Sequence, residues 1–296
     1  MSGNSLLVMK YKIAVLRGLT ILSFFLLVAG TVAAVKDNPW YLLLFGGIGT
    51  FAGLTEFVIA VTPQRAQIIR RFVLFSLGAT LASLALTIAI NFQFSQVCFD
   101  IYTAIATGAI IQFIVARLII PLLFGNIFCS RACWDSAVFE ITDRKKGSQD
   151  NDSKLLAWLF TAAIIITTFI ISLYFIPKSG TQEMRYIFIS ENIMILILGI
   201  TLSRIYGKRF YCRKLCPFIT ISGLVSRFSL FKITPKNIDN CISCGKCTNA
   251  CPMGIDVMKY VKEGKRINHK NCIMCEQCVT SCPKNCLEMN YRASAP

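Results

Sequence analysis

The chain has 296 residues, of which 55% are hydrophobic and only 16% are charged, and its mean hydropathy is +0.60. This composition excludes an ordinary soluble domain. A formal charge of +16 would suit nucleic-acid binding, but the chain has no basic soluble domain with interleaved aromatic residues to use it. We therefore expect a membrane protein with no nucleic-acid partner.

Six apolar stretches are long enough to cross a hydrocarbon core of about 30 Å as α-helices. These predicted spans are Ile13–Val35, Trp40–Val61, Phe72–Ile90, Ile101–Phe124, Leu155–Ile176 and Tyr186–Ser203. Lys and Arg are concentrated in the connections on one side, which is typical of cytoplasmic loops. We expect a multi-pass protein of the cytoplasmic (inner) membrane, with both termini in the cytoplasm. The first span is longer than a signal-peptide core and is predicted to be an uncleaved anchor.

The last part of the chain contains one cysteine pattern twice, Cys-x2-Cys-x2-Cys-x3-Cys-Pro, in NCISCGKCTNACP (240–252) and NCIMCEQCVTSCP (271–283). Three thiolates at this spacing wrap around three corners of one [4Fe–4S] cube, and the fourth ligates the other cube. The alternative, a zinc ribbon, needs paired Cys-x2-Cys knuckles without a third equally spaced cysteine. The predicted ligands are Cys241, Cys244, Cys247 and Cys282 for cluster 1, and Cys272, Cys275, Cys278 and Cys251 for cluster 2.

With Pro252 and Pro283 after the fourth cysteine of each run, this region resembles the bacterial dicluster ferredoxins. The resemblance implies a small α+β domain with two [4Fe–4S] clusters over residues 234–296. The rest of the chain divides into a helical membrane region, residues 1–206, and a connecting segment, residues 207–233. The predicted fold class is an α-helical polytopic membrane protein with a C-terminal dicluster ferredoxin domain.

Four further cysteines form two Cys-x3-Cys pairs, Cys129 with Cys133 and Cys212 with Cys216, each at the end of an apolar span. Residues four apart share one face of a helix, so each pair can offer two thiols to one centre. Together the pairs supply four thiolates, the number that a four-iron cluster needs. Cysteines that pack only as small hydrophobic residues, or a zinc site, would account for the same spacing. Because two clusters already follow, we expect a third iron–sulfur cluster at the membrane edge.

Spans that end in Cys-x3-Cys elements and precede a dicluster ferredoxin region resemble the membrane polyferredoxins typified by NapH and by part of NosR. The resemblance covers residues 72–296 and implies a quinol dehydrogenase component that draws electrons from the quinone pool for a partner reductase. Cys212, Cys216 and Pro217 match the Cys-x3-Cys-Pro element of that family. In the first element Trp134 stands where the family has proline, which leaves the following turn open. Pro217 is expected to end the helical turn that pairs its thiols.

Several ionisable residues lie inside the predicted spans, where each costs about 2.5–3.5 kcal/mol near the centre and needs a partner or a function. For Arg17, Glu56 and Arg117, mutual ion pairing is the expected arrangement. Glu191 is the candidate proton acceptor beside a quinol. Its place near the outer end of the sixth span also suits a side chain that reaches the outer surface.

Three single residues stand outside these patterns. Cys98 falls in a predicted outer connection without a partner thiol, and Cys286 follows the last ferredoxin ligand by four residues. Cys286 is expected to pack as a small apolar residue, and a role as an alternative cluster ligand is the second interpretation. The only histidine, His269, lies between the two ferredoxin runs, so the chain cannot hold a membrane haem through histidine.

Taken together, these features predict a membrane-bound iron–sulfur electron-transfer protein, an oxidoreductase subunit of the quinol dehydrogenase type. Quinol would be oxidised among the helices, and its electrons would pass through [4Fe–4S] clusters to a reductase or another electron-transfer subunit. The alternatives are an assembly or maturation factor similar to CcoG and a redox sensor. Copper handling by such a factor would favour grouped Met or His residues near the membrane, and the eight methionines are scattered.

Overall fold

The computed structural model describes residues 3–87, 93–103, 108–142, 155–175 and 181–291. These residues are mostly helical, with two short strands towards the C-terminal end. By its internal contacts the chain forms two compact units, Met1–Val73 and Leu74–Pro296. All twelve predicted metal-ligating cysteines belong to the second unit.

Fifteen α-helices and one π-helical segment, Ile114–Ile119, run through the described residues. The α-helices are α1 (Gly3–Lys36), α2 (Trp40–Val61), α3 (Ala66–Thr87), α4 (Phe94–Thr103), α5 (Gly108–Phe113), α6 (Ile120–Phe124), α7 (Ile127–Arg131), α8 (Trp134–Thr142), α9 (Leu155–Phe175), α10 (Thr181–Tyr206), α11 (Phe210–Lys214), α12 (Pro217–Val225), α13 (Lys246–Asn249), α14 (Val257–Lys262) and α15 (Gln277–Thr280). The long helices follow from uninterrupted apolar runs. Short helices follow α6 and α10, where Gly125 and Gly207 adopt positive φ and stop the preceding helix.

The first unit contains a helical hairpin of α1 and α2. The two backbones approach closely at Gly18 and Gly53, where an added Cβ would stand 2.9 Å and 2.8 Å from the facing carbonyl oxygen. Beside this crossing, Arg17 Nη2 donates to Glu56 Oε2 over 2.5 Å in a buried ion pair. The predicted pairing of these two residues is confirmed, and it compensates each charge in an apolar environment.

Four helices are long and apolar enough to cross a membrane, and they correspond to the first, second, fifth and sixth predicted spans. They are Ala14–Ala34, Trp40–Val61, Leu155–Tyr174 and Ile189–Tyr206. The third predicted span falls in α3, which begins at Ala66 and therefore includes Arg70 and Arg71. Its predicted end, Ile90, lies outside the described residues, as does Ile176 at the end of the fifth. The count of six spans stays a prediction.

The fourth predicted span is the one that the structure alters most. Its first residues, from Ile101, belong to the separate helix α4, and residues 104–107 lie outside the described part. The apolar helix that follows, Ala109–Phe124, is shorter than the four long spans. It includes the π-helical segment, a wider turn that often marks a functional site.

The C-terminal part of the second unit is closed by a two-stranded antiparallel sheet. Strand β1 (Lys232–Pro235) pairs with β2 (Leu287–Asn290), so the sheet brackets both cysteine runs. Within each run, a four-residue helix, α13 or α15, carries the third cysteine. Each of these helices follows a residue of left-handed conformation, Gly245 with φ +71° and Glu276 with φ +58°. The repeated sequence thus repeats its local fold.

Candidate iron–sulfur sites

The membrane-edge cysteines lie in two short segments, α7 with α8 and α11 with α12. Each segment consists of a short helix, a turn and a second helix, and the local geometry of the two is the same. Cys129 is the third residue of α7, and Cys212 is the third residue of α11. Each helix ends before the second cysteine, whose N–H donates to the carbonyl oxygen five residues back, over 3.2 Å for Cys133 and 2.9 Å for Cys216. The thiols of a pair are therefore related by a helix-ending turn, and the prediction of one shared helical face is wrong.

A new helix begins directly after the second cysteine in both segments. Trp134 is the first residue of α8, and Pro217 is the first residue of α12, a position that suits the fixed φ of proline. Pro217 thus starts a helix and does not end one. The residue before the second cysteine has φ −140° and ψ −14° at Ala132, and φ −126° and ψ −33° at Leu215. The turn is the same with tryptophan as with proline.

Electrostatic interactions connect the four membrane-edge thiols. Cys212 interacts with Cys129, Cys133 and Cys216. Cys129 also interacts with Cys133 and with Cys216. Burial raises the pKa of Cys133 to about 12 and that of Cys216 to about 11. Free thiols with these pKa values are protonated at neutral pH, so a bound metal would have to displace their protons.

Arg117 lies among these thiols, where the sequence predicted only an ion pair. Its Nη1 donates to Cys129 Sγ over 3.2 Å, and its charge also interacts with Cys133 and Cys216. The guanidinium carbon stands over two phenylalanine rings, 4.2 Å and 4.7 Å from their centroids, and only 4% of the residue is exposed. This buried cation is placed to offset the negative charge that thiolates bring. The signal in the sequence was an arginine at the inner end of a span, twelve residues before the first cysteine.

The second ferredoxin run packs on both membrane-edge segments. Arg131 of α7 forms a buried ion pair with Glu276 of that run, with Nη2 3.1 Å from Oε1. On the other segment, the carbonyl oxygen of Arg213 accepts from Asn271 Nδ2 over 3.5 Å. Both membrane-edge segments are therefore in direct contact with the polypeptide that carries the cluster 2 ligands.

Two glycines permit this close contact. An added Cβ at Gly223 would stand 2.6 Å from the carbonyl oxygen of Lys270, and one at Gly125, where φ is +67°, would stand 2.9 Å from Met274 Cγ. The same Lys270 carbonyl accepts from Asn126 Nδ2 over 3.2 Å. A side chain at either glycine would displace the second ferredoxin run from the membrane-edge segments. The absence of a side chain at Gly125 and Gly223 therefore allows the two to pack closely.

One buried carboxylate joins three parts of the site. Glu140 of α8 forms an ion pair with Arg209, which directly precedes α11, and accepts from Gln277 Nε2 over 3.4 Å. Arg209 Nη1 also donates to Ser136 Oγ over 2.7 Å. The pair therefore connects the two membrane-edge segments with each other and with the second run.

The four predicted ligands of cluster 2 lie close together. Cys278 interacts electrostatically with Cys275, Cys251 and Cys272. Burial raises the pKa of Cys272 to about 12 and that of Cys251 to about 11. Lys208, just ahead of α11, is within electrostatic range of Cys251. This group of thiols therefore adjoins the second membrane-edge segment.

The predicted ligands of cluster 1 line a single pocket. These residues are Cys241, Cys244, Cys247 and Cys282. Gly245 and Val261 complete part of the wall, and so does Cys286, a fifth thiol. Cys244 is exposed, so this pocket opens towards solvent, whereas Cys275 and Cys278 of cluster 2 are buried.

Within the described residues, no three Cys, His, Asp or Glu side chains converge closely enough to hold a single metal ion. The ligands of an iron–sulfur cube each bind a different iron atom, so they surround the cube and are more widely spaced. Soft thiol donors, their burial and a thiol-lined pocket fit such a group. The backbone N–H of Cys286, which donates to Cys282 Sγ over 3.3 Å, is the kind of outer contact that tunes a cluster.

Two family models match the chain over these regions. The model of the 4Fe–4S dicluster domain covers residues 234–283, and that of the 4Fe–4S binding domain covers residues 105–148 and again 192–236. These matches identify 4Fe–4S domain sequences in both cysteine-containing parts of the chain. The second model matches each membrane-edge segment separately, which agrees with their common geometry.

Curated relatives of this chain have names that refer to ferredoxins or electron transport. The methylamine utilization ferredoxin-type protein MauN of Paracoccus denitrificans is 29% identical over 157 residues, 50% of this chain and 56% of its own length. YccM of Escherichia coli, whose name assigns it provisionally to electron transport, is 26% identical over 176 residues, 52% of this chain and 49% of its own. This chain thus spans about half the length of both relatives. The resemblance to membrane polyferredoxins is confirmed.

A longer match is with an uncharacterized protein of Methanocaldococcus jannaschii. That relative is 24% identical over 237 residues, 77% of this chain and 87% of its own length. No solved structure matches the chain.

The residue predicted to accept a proton from quinol, Glu191, lies on α10. Glu191 is half-buried and within interaction range of Ser95 and Cys98, both on α4. Cys98 is itself buried with Phe94 and Ile164, and it lies within a helix and not in a connection. A partner for Glu191 across the helices was not evident from the sequence of its own span.

Proposed function

We propose that this protein is a membrane-bound iron–sulfur electron-transfer protein that oxidises quinol in the bilayer and passes the electrons to a partner reductase. In this role it would be an oxidoreductase subunit of the quinol dehydrogenase type. The positive-inside distribution of Lys and Arg supports a multi-pass protein of the cytoplasmic membrane, with both termini and the ferredoxin domain on the cytoplasmic side. The names of MauN and YccM, a ferredoxin-type and an electron transport protein, support the electron-transfer part of the proposal.

The observation that carries this proposal is the packing of the second ferredoxin run on both membrane-edge segments. The buried ion pair of Arg131 with Glu276 holds α7 against that run, and Asn271 holds it against Arg213. Cys278 of the cluster 2 group interacts electrostatically with Cys247 of the cluster 1 pocket, so the thiol groups would form a series from the membrane edge to that pocket. A series of redox sites needs fixed separations, which buried contacts of this kind maintain.

Twelve cysteines would hold the clusters under this proposal. Cluster 1 would be held by Cys241, Cys244, Cys247 and Cys282, cluster 2 by Cys272, Cys275, Cys278 and Cys251, and a third cluster by Cys129, Cys133, Cys212 and Cys216. When bound, such clusters take up and release single electrons at potentials set by charge, hydrogen bonds and exposure. The chain contributes Arg117 as a fixed positive charge at the membrane edge and excludes water by burial.

Glu191 is the proposed proton acceptor for the quinol. Its carboxyl group lies between α10 and α4, in reach of Ser95 and Cys98, in a segment with apolar side chains on both helices. A quinol that loses electrons must also lose protons, and a carboxylate beside it can accept one. An ionisable residue inside a span is a candidate functional site for this reason.

The decisive experiment is anaerobic purification, followed by iron and sulfide analysis and by reduction with a menaquinol analogue. We expect about twelve irons per chain, as three four-iron clusters require. We also expect the visible cluster absorption to bleach with the quinol. A protein that is bleached by dithionite but stays oxidised under quinol would contradict quinol oxidation.

A matched pair of variants tests the residue assigned to the proton. Glu191→Gln keeps the size of the side chain and removes its basic group, so we expect slow bleaching by quinol and normal bleaching by dithionite. Ser95→Ala alters the neighbour and not the carboxylate, and it is expected to bleach at close to the wild-type rate. Equal rates in wild type and Glu191→Gln would remove Glu191 from the proposal.

A further inference from the structure

The pocket predicted for cluster 1 is lined by five thiols, although a [4Fe–4S] cube needs four protein ligands. The additional thiol belongs to Cys286, which is 1% exposed. Its sulfur lies close to the sulfur atoms of both Cys241 and Cys282. The packing role expected from the sequence does not require a thiol at the wall of a ligand pocket.

The backbone holds Cys286 firmly at this wall. Its N–H donates to Cys282 Sγ over 3.3 Å, and its carbonyl oxygen accepts from the N–H of Lys236 over 2.8 Å, next to the strand pair. Asn285, with φ +50°, makes the turn that returns the chain to the pocket, and its N–H donates to the Cys282 carbonyl over 3.2 Å. The Cys286 thiol is thus placed beside Cys282 by the same turn that positions Cys282.

The repeated sequence provides an internal comparison. Ile255 follows Cys251 by four residues, as Cys286 follows Cys282, and its backbone N–H hydrogen-bonds to the Cys251 thiol in the same way. Ile255 is 3% exposed, so an apolar side chain fills this position well in the first repeat. The two repeats share the turn and the N–H···S bond, and they differ in that only the second has a thiol there.

We propose that Cys286 is a reserve ligand of cluster 1 that can replace Cys282. In the exchange, the bond between iron and the Cys282 sulfur breaks and a bond to the Cys286 sulfur forms. The Cys286 thiol gives up its proton, to the released Cys282 thiolate or, where residue 282 has no thiol, to the buffer. The iron oxidation states do not change. This inference rests on the ligand assignment in the proposed function but not on quinol as the electron donor.

The test compares the iron and sulfide content of Cys282→Ala with that of Cys251→Ala, both in the full chain purified anaerobically. Cys282→Ala is expected to retain the wild-type iron content with an altered electron paramagnetic resonance signal, because Cys286 takes the vacated iron. Cys251→Ala, which has Ile255 at the matching position, is expected to lose about four irons per chain. A loss from Cys282→Ala as large as that from Cys251→Ala would overturn the proposal.

Two further variants complete the test. Cys282→Ala with Cys286→Ala is expected to lose about four irons, and Cys286→Ala alone is expected to keep them all. Retention of iron by the double variant, or loss of iron from Cys286→Ala, would each overturn a reserve role. Retention of all irons in Cys251→Ala would overturn it as well, since the fourth-ligand assignment would then fail. Failure of the wild type to be reduced by quinol refutes the proposed donor and leaves these iron counts unaffected.

Discussion

The two membrane-edge segments, α7 with α8 and α11 with α12, have the same backbone but different surroundings. In both, a five-residue helix is followed by a turn and then by a nine-residue helix, with the cysteines at the same positions. They differ at the residue after the second cysteine, Trp134 in one and Pro217 in the other. Because the turn is the same in both, the hydrogen bond from the second cysteine and the start of the next helix are sufficient to form it.

The surroundings differ more than the backbones. In the first segment, Cys129 accepts a hydrogen bond from the guanidinium of Arg117, and Arg131 forms an ion pair with Glu276 of the second ferredoxin run. The second segment contributes Arg209, whose charge is compensated by Glu140. The comparison favours one site made from two structurally equivalent halves. Arg117, from outside both, reaches Cys129, and Arg209 of the second segment acts electrostatically on Cys212.

The largest expected effect tests whether the halves form one site. Cys129→Ser and Cys212→Ser should each lose about four irons per chain, and the double variant should also lose about four, because one cluster needs both pairs. Iron and sulfide analysis measures this directly. A loss of about eight irons in the double variant would mean two separate centres, and an unchanged count in either single variant would remove that cysteine as a ligand.

A second test separates the docking roles of the two segments. Arg131→Met removes the cation that pairs with the buried carboxylate of Glu276, which we expect to cost about 3–5 kcal/mol of stability. Arg131→Met with Glu276→Met should recover much of this loss, since two buried charges are then removed together. The measurement is the guanidinium midpoint at which cluster absorption disappears in detergent.

Lys214→Met is the matched control for this test. Lys214 is the last residue of α11, as Arg131 is of α7, but it is only half-buried. We therefore expect a smaller decrease in the midpoint. Equal losses from Arg131→Met and Lys214→Met would show that the ion pair with Glu276 has no special part in docking.

A third test concerns the cation at the thiols. Arg117→Met removes a charge-assisted hydrogen bond to a sulfur ligand, so the more negative, reduced form loses stability. The whole bond, about 1.5–3 kcal/mol, is an upper bound on that loss, so the midpoint potential of the membrane-edge cluster should fall by tens of millivolts and by no more than about 130 mV. A redox titration followed by electron paramagnetic resonance measures the shift, and Arg117→Lys, which keeps the charge, should show a smaller one.

The second segment again provides the control for this prediction. Arg209→Met combined with Glu140→Gln removes one positive and one negative charge, so the net charge near the thiols is unchanged. The double variant should therefore change the midpoint potential only slightly. It can still reduce the stability of the protein, because a buried ion pair is lost. A shift as large as that of Arg117→Met would mean that the potential responds to general disturbance of the site and not to the Arg117 charge.

The smallest expected effect tests the proline itself. Pro217→Ala should leave the iron content unchanged and reduce the free energy of unfolding by less than about 1 kcal/mol, mainly through the greater freedom of the unfolded chain. Trp134→Pro should likewise retain all the irons, because the first residue of a helix needs no N–H donor. Loss of the membrane-edge cluster from Pro217→Ala would show that the equivalence of the two turns is only apparent.

The sequence alone determined the features that depend on short spacings and local composition. The Cys-x2-Cys-x2-Cys-x3-Cys-Pro runs predicted a 4Fe–4S dicluster domain, which the family comparison confirms, and apolar length predicted the four long helices. Only the tertiary structure decided that Arg117 faces the thiols, that the second run docks on both membrane-edge segments, and that Cys286 enters the pocket of cluster 1. The physical reason is range. A spacing of two to four residues is set by the backbone, whereas contacts such as Asn126 with Lys270 join residues 144 positions apart and depend on how helices pack.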